Sequence, residues 1–168
     1  MLALALLAGA TLVIKYAWAA SPAAGSAKCI FSTKNLKRYQ FPTHINDLVM
    51  DRSEAKHSEV FMVIVPAHSA PPFHKHDDTE QIFYIMEGSG TLTIGDPAQQ
   101  FDVKPGDVVR IPPHALHSIQ CAASTTLRYL SVDAFVGEKP AAEPTWDSHV
   151  QTLCARFGWD FNQVKLQN

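Results

Sequence analysis

Several side chains in the middle of the sequence have the types and spacing that suit a transition-metal ion. His74 and His76 are separated by one residue, so both imidazoles point to the same side of an extended segment. Glu80 and Gln81 follow, and each offers an oxygen donor, while His117 lies farther along the chain. Imidazole nitrogens with one oxygen suit a divalent first-row ion and leave positions open for a substrate. The sequence therefore predicts a metal centre.

The segment that carries these residues reads as short strands. Between about residues 60 and 135, apolar runs alternate with turn residues, and no run has the length and period of a helix. The predicted strands are Val60–Val65, Gln81–Met86, Thr91–Ile94, Phe101–Val103, Val108–Ile111 and Leu127–Val132. Strands of this length and spacing favour an all-β sandwich or barrel.

A helix is predicted near the end of the chain. Thr145 suits its N-cap and Gly158 its end. An apolar stripe at helical spacing follows the cap: Trp146, Val150, Leu153, Cys154 and Phe157. We expect this stripe to pack on the barrel, with a dimer contact as the alternative.

Length, composition and charge indicate one folded domain and argue against nucleic-acid binding. A chain of 168 residues with 46% apolar residues suits one folded domain. Lys and Arg number 14 against 16 Asp and Glu, so the chain lacks the basic surface expected of a nucleic-acid-binding protein. A small molecule is the expected partner.

The first residues resemble a targeting sequence. Residues 2–14 form an uncharged, mostly apolar run, shorter than the roughly 20 residues of a membrane span. With the small residues around Trp18, this predicts a signal peptide at residues 1–19 and a secreted or periplasmic protein without a membrane span. No Lys or Arg precedes the run, so an uncleaved anchor or a start codon placed too far downstream remains an alternative. A linker and N-terminal segment (20–40), a barrel (41–137) and a C-terminal extension with a helix (138–168) would follow.

Three cysteines, Cys29, Cys121 and Cys154, bear on the expected compartment. Two of them could pair under oxidising conditions, but the sequence does not choose the pair. A buried thiol is an equally good interpretation of each.

Residues 66–121 resemble the cupin family. His74 and His76 match the paired histidines of its first motif, and Gly88 matches the glycine that closes it. Gly106, Pro112 and His117 match the second motif. The resemblance implies a jelly-roll β-barrel with a divalent metal inside (iron, manganese, nickel, copper or zinc), and a homodimer.

Besides the oxygen ligand, the sequence departs from the motifs at three positions. His68 and His114 stand where glycine is usual, so we expect their turns to be built differently. Cys121 replaces the terminal Asn of the second motif.

The oxygen ligand is either Gln81 or Glu80. Counting back from Gly88 by the family spacing reaches Gln81, whereas the distance from His76 fits Glu80. Because a slip of one residue moves a side chain to the other face of a strand, only one of them points inward. We favour Gln81, which would leave the ion its full charge and favour polarisation of a carbonyl or hydroxyl.

The other histidines have simpler expected places. His44, His57 and His149 are predicted at the surface, and His68 and His114 in turns near the barrel mouth. Four residues near the predicted site are candidates for a catalytic proton carrier: His68, His114, Glu80 and Tyr84.

Three functions fit these features. The favoured one is a metal-dependent, isomerase- or lyase-like enzyme acting on a small polar substrate such as a sugar acid or a carbonyl compound. The alternatives are a metal-dependent dioxygenase, which Glu80 as a ligand would favour, and a non-catalytic module that binds a small molecule or a metal.

Overall fold

A computed structural model describes residues 28–166, and these residues form antiparallel sheets followed by helices. The strands are β1 (Lys37–Gln40), β2 (Ile45–Met50), β3 (Ser58–Val65), β4 (Thr79–Glu87), β5 (Gly90–Ile94), β6 (Gln99–Val103), β7 (Val108–Ile111), β8 (His117–Cys121) and β9 (Leu127–Phe135). The helices are α1 (Trp146–Phe157) and α2 (Phe161–Val164). The all-β fold and each predicted strand are confirmed.

The strands form two sheets that face each other as a jelly-roll barrel. One sheet has six strands in the order β1-β2-β3-β9-β4-β7, and the other has three in the order β6-β5-β8. Side chains alternate along β4 and β9, so one face of each strand is buried and the other meets solvent. The buried faces form the core between the sheets.

Helix α1 has the limits that its sequence predicts. The Thr145 hydroxyl accepts a hydrogen bond from the Ser148 backbone N–H, and the Ser148 side chain accepts one from the Thr145 N–H. Gly158 ends the helix in the left-handed conformation (φ 69°). Trp146 is buried, and its ring lies 4.6 Å from that of Phe61 on β3. The helix therefore packs its apolar stripe on the barrel, as expected.

Polar contacts also fasten the C-terminal segment to the sheet. The Tyr39 hydroxyl on β1 donates to an Asp147 carboxylate oxygen at 2.5 Å, and Lys165 Nζ donates to the other oxygen at 2.7 Å. The Trp146 backbone N–H donates to the carboxylate of Asp51, just beyond β2. These bonds hold α1 at one end of the barrel.

The turns at His68 and His114 correct one expectation. Both residues adopt the left-handed conformation, with φ 61° and 66°, which glycine usually supplies. The turns therefore keep the backbone shape expected of glycine, and histidine takes it up. Gly88 is different, because a Cβ there would lie 2.2 Å from the Thr126 carbonyl oxygen.

Some predictions lie outside this description or are not settled by it. The predicted signal peptide, residues 1–19, precedes the described residues, so export stays a prediction, as does the homodimer. Cys121 and Cys154 are buried thiols, and neither forms a disulfide. Within residues 28–166, no helix is long and apolar enough to cross a membrane.

Candidate metal centre

The loop before β4 and the start of β8 bring three histidines together. The His74 N–H donates to the His117 carbonyl at 3.1 Å, and the His117 N–H donates to the His74 carbonyl at 2.8 Å. The His114 N–H donates to the His76 carbonyl at 2.7 Å. These backbone bonds hold the paired histidines of the loop against the strand that carries His117.

The three imidazoles converge on one point. One ring nitrogen from each of His74, His76 and His117 lies within 4.8 Å of the others. His74 Nδ1 donates to the Pro72 carbonyl at 2.8 Å, and His117 Nδ1 donates to the Ala115 carbonyl at 3.0 Å. Because a carbonyl oxygen only accepts, both rings carry their proton on Nδ1 and keep the lone pair on Nε2. That tautomer leaves Nε2 of both rings free to bind a metal ion.

Burial keeps these rings neutral. It is the largest cause lowering the pKa of all three, to about 2 for His76 and about 4 for His117, and the neighbouring histidines lower the last two further. The Nε2 atoms of His76 and His117 are buried without a hydrogen-bond partner. A buried lone pair without a partner is costly, and a cation at the point of convergence would satisfy it.

Gln81 faces the same space, whereas Glu80 does not. Gln81 is 4% exposed, and its Nε2 donates to Asp133 Oδ1 on β9 at 2.9 Å. This bond fixes the amide, and Gln81 Oε1 is buried without a partner. Glu80 points outward and pairs with Arg110 at 2.5 Å. The donor set therefore fits a divalent ion through three nitrogens and one neutral oxygen.

Asp133 explains why an uncharged side chain suits position 81. It is buried, and burial, followed by repulsion from Glu59, raises the pKa of Asp133 well above its usual value. The Ser131 hydroxyl also donates to it at 3.1 Å. A Glu at position 81 would bring another carboxylate against Asp133, whereas the Gln amide donates to it.

The donors line a cavity of about 80 Å³. Its walls are mostly apolar and aromatic, and they come from both sheets, from α1 and from Trp159 beyond it. They include Phe61, Phe83, Tyr129 and Trp146. Among the described residues, no Lys or Arg lines it. The cavity thus places any small molecule against the imidazoles on one side and aromatic rings on the other.

Two histidines that the sequence places at the surface line this cavity instead. His44, between β1 and β2, and His149, on α1, are both partly buried in its wall. Of the three histidines predicted at the surface, His57 alone is exposed. His149 lies on the apolar face of α1, three residues after Trp146 and four before Leu153, and that spacing is the signal that could have revealed it.

The four candidate proton carriers lie elsewhere. None of His68, His114, Glu80 and Tyr84 lines the cavity. His68 and His114 are exposed, and His114 Nδ1 pairs with Asp77 at 2.9 Å. Tyr84 lies on the outer face of β4 and is 48% exposed.

Comparison with known proteins places this site in a family. The sequence model of the cupin domain matches residues 60–133, which include all four donors. Residues 60–133 of this chain therefore form a cupin domain. Its double-stranded barrel is the fold that the family resemblance implies, and the matched region contains the three clustered histidines.

Two curated relatives match the cupin region. An uncharacterized protein of Methanocaldococcus jannaschii is 40% identical over 67 residues, covering 40% of this chain and 52% of the relative. L-ectoine synthase of Mycolicibacterium gilvum is 32% identical over 68 residues, covering 40% of this chain and 50% of the relative. The matches thus span about half the length of each relative.

Solved structures share the fold at low identity. The polyketide cyclase RemF of Streptomyces resistomycificus superposes with a TM-score of 0.54 and 23% identity, covering 63% of this chain and 78% of that protein. At this identity the likeness concerns the fold and not the reaction.

Proposed function

We propose that this cupin is a metal-dependent enzyme that moves protons in a small oxygen-bearing substrate, by an isomerase- or lyase-like reaction. The observation that carries the proposal is the convergence of three neutral imidazoles on the wall of a cavity that Gln81 also lines. We assign His74, His76, His117 and Gln81 as ligands of a divalent transition metal.

The neutral oxygen ligand favours proton transfer over oxygen chemistry. A divalent ion on these ligands would keep its full positive charge and would polarise a carbonyl or hydroxyl group in the cavity. Glu80, whose ligation would favour a dioxygenase, pairs with Arg110 on the outside.

The cavity wall supports a carbonyl compound over a sugar acid. Aromatic rings surround most of the space, and no lining Lys or Arg among the described residues would bind a carboxylate away from the ion. The walls therefore suit a compact substrate with an apolar body and oxygen atoms at one end. The relative L-ectoine synthase is an enzyme by its name, which is compatible with a catalytic role for this site.

The first test of this proposal is metal content. Elemental mass spectrometry of the purified protein should find about one equivalent of a transition metal per chain, since the ligands form a single site. His117→Ala should lose it, whereas His114→Ala, three residues away and exposed, should keep it. Failure of the wild type to bind any divalent metal after reconstitution would overturn the proposal.

A second test addresses the reaction. The metal-loaded protein is incubated with small ketones and hydroxyketones in D2O, and NMR follows deuterium at the carbon next to the carbonyl. Metal-dependent exchange is the expected result. Oxygen uptake without exchange would favour the dioxygenase, and ligand binding without either would favour a binding module.

A further inference from the structure

Apart from the three proposed ligands, two histidines line the cavity. His44 and His149 approach it from the β1–β2 connection and from α1. A proton-transfer enzyme requires a group beside the metal that accepts and returns a proton. The two rings differ in their hydrogen-bond partners and in the charged groups beside them.

His149 is held by a carboxylate. Its Nδ1 lies 2.7 Å from Glu143 Oε2, and its side chain is 13% exposed. The ring also packs against Trp146, with ring centroids 5.1 Å apart. With Nδ1 engaged, Nε2 is the nitrogen available to the cavity.

Glu143 is in turn fixed and ionised. Arg52 Nη1 donates to Glu143 Oε2 at 3.1 Å, and the remaining guanidinium nitrogens of Arg52 donate to Glu59 at 2.6 and 2.7 Å. The hydrogen bond from His149 is the largest cause that lowers the pKa of Glu143 to about 2. Because Glu143 is a carboxylate at neutral pH, it accepts a hydrogen bond from the Nδ1–H of His149, and the lone pair of that ring lies on Nε2.

Charged side chains follow one another behind His149. Glu59 and Glu143 carry two negative charges, and Arg52 between them carries one positive charge. Glu143, the carboxylate at the end of this row, contacts the imidazole of His149 directly. That carboxylate fixes the orientation of the ring, as it does wherever a carboxylate supports a catalytic histidine.

His44 lacks this support. Its Nδ1 contacts the Thr43 hydroxyl at 3.0 Å, and its ring stacks on Phe41 at 4.6 Å. Burial, followed by the charge of His74, lowers the pKa of His44 to about 3. A ring in that setting stays neutral and does not hold a proton at neutral pH.

We propose that His149 is the proton-carrying catalytic residue of this site and that Glu143 is its positioning residue. The inference rests on the proposed function and names the group that function requires. A C–H bond of the substrate breaks, its proton moves to His149 Nε2, and its electron pair stays on the substrate. Return of the proton to another substrate atom regenerates the neutral imidazole.

The first experiment reads the tautomer directly. Nitrogen NMR of the zinc-loaded, ¹⁵N-labelled protein near neutral pH should show His149 protonated at Nδ1, with Nε2 neither protonated nor bound to zinc. Glu143→Gln should reduce the population of this tautomer, because an amide also offers a donor to Nδ1. Protonation of Nε2, or its coordination to zinc, would overturn the assignment.

The second experiment counts protons. Acetohydroxamic acid is titrated into zinc-loaded protein in two buffers of different ionisation enthalpy, so calorimetry reports the protons released when the chelator binds. In the wild type, His149 should retain the chelator's proton, and little should reach the buffer. His149→Gln should release that proton, whereas His114→Gln, which removes an exposed histidine–carboxylate pair, should behave as the wild type.

Zinc content measured on the same samples separates the two proposals. If the wild type does not bind zinc, the proposed function fails. If zinc fills the wild type and His149→Gln alike and both release the same number of protons, only the assignment of His149 fails.

Discussion

The two faces of β4 carry residues of similar size in opposite surroundings. Inward, Gln81 and Phe83 are 4% exposed and line the cavity. Outward, Glu80 reaches Arg110 and Tyr84 is about half exposed. The same contrast recurs elsewhere in the barrel, where some ion pairs and histidines are buried and others are exposed to solvent. Neighbours in sequence therefore differ in role because of the face they occupy.

The largest difference is expected between a buried and an exposed ion pair. Arg52 and Glu59 are 2% and 0% exposed, whereas Arg110 and Glu80 are 66% and 26% exposed. Arg52→Met leaves Glu59 buried without its cation and should lower the free energy of unfolding by about 3–5 kcal/mol. Arg110→Met should lower it by less than about 1 kcal/mol. Equal losses in urea denaturation would contradict the contrast.

Adjacent aromatic residues of β4 provide the next comparison. Phe83→Ala removes a buried ring that contacts Tyr129, with centroids 4.6 Å apart, and should cost about 3–5 kcal/mol of stability. Tyr84→Ala removes an exposed ring and should cost less than about 1 kcal/mol, in the range of ordinary surface substitutions. Thermal unfolding of both variants measures the difference, and a larger cost at Tyr84 would show that its face is covered in solution.

Metal affinity should separate Gln81 from Glu80. Gln81→Ala removes the proposed oxygen ligand and should weaken zinc binding by at least about 10- to 100-fold, the loss common for groups that support a metal site. Glu80→Ala should leave the affinity within a few-fold of wild type. Competition with a chromophoric chelator gives both values. The reverse order would assign the ligand to Glu80.

The last comparison concerns pH and two histidines, His44 and His57. The folded state holds its pKa at about 3, against about 6.5 in an unfolded chain. As pH falls below about 6.5, His44 is protonated in the unfolded chain but stays neutral in the folded chain. The free energy of unfolding therefore falls until about pH 3. In zinc-free protein, His44→Gln should lose less stability between pH 7 and 4 than the wild type does. His57→Gln, at an exposed position, should match the wild type when denaturation midpoints are compared.

The barrel was predictable because its signals are local. Apolar runs broken by turns located the strands, and Thr145 and Gly158 located the limits of α1. Strand β2 lacks that signal, because Asn46 and Asp47 are buried there despite being polar. Asp47 is accommodated by Arg38 on β1, with two hydrogen bonds at 2.7 and 2.8 Å. A partner on another strand is not visible in the segment itself.

The site was predictable only in part for the same reason. His74, His76 and His117 share motif spacing, and the structure brings them together. His149 is more than 70 residues from each of the paired histidines in the loop, and only the packing of α1 on the barrel brings it to the cavity. The helical spacing of His149 indicates a buried face, but only tertiary contact decides that this face meets the cavity.

The position of α1 has a consequence for the order in which the site is completed. All four proposed ligands precede residue 120, whereas the cavity wall that contains Trp146 and His149 comes from the last part of the described chain. Because synthesis proceeds from the N-terminus, the metal-binding half emerges from the ribosome before its cover. An ion that binds at that stage would enter a cavity that still lacks its helical wall, and α1 would pack over it afterwards.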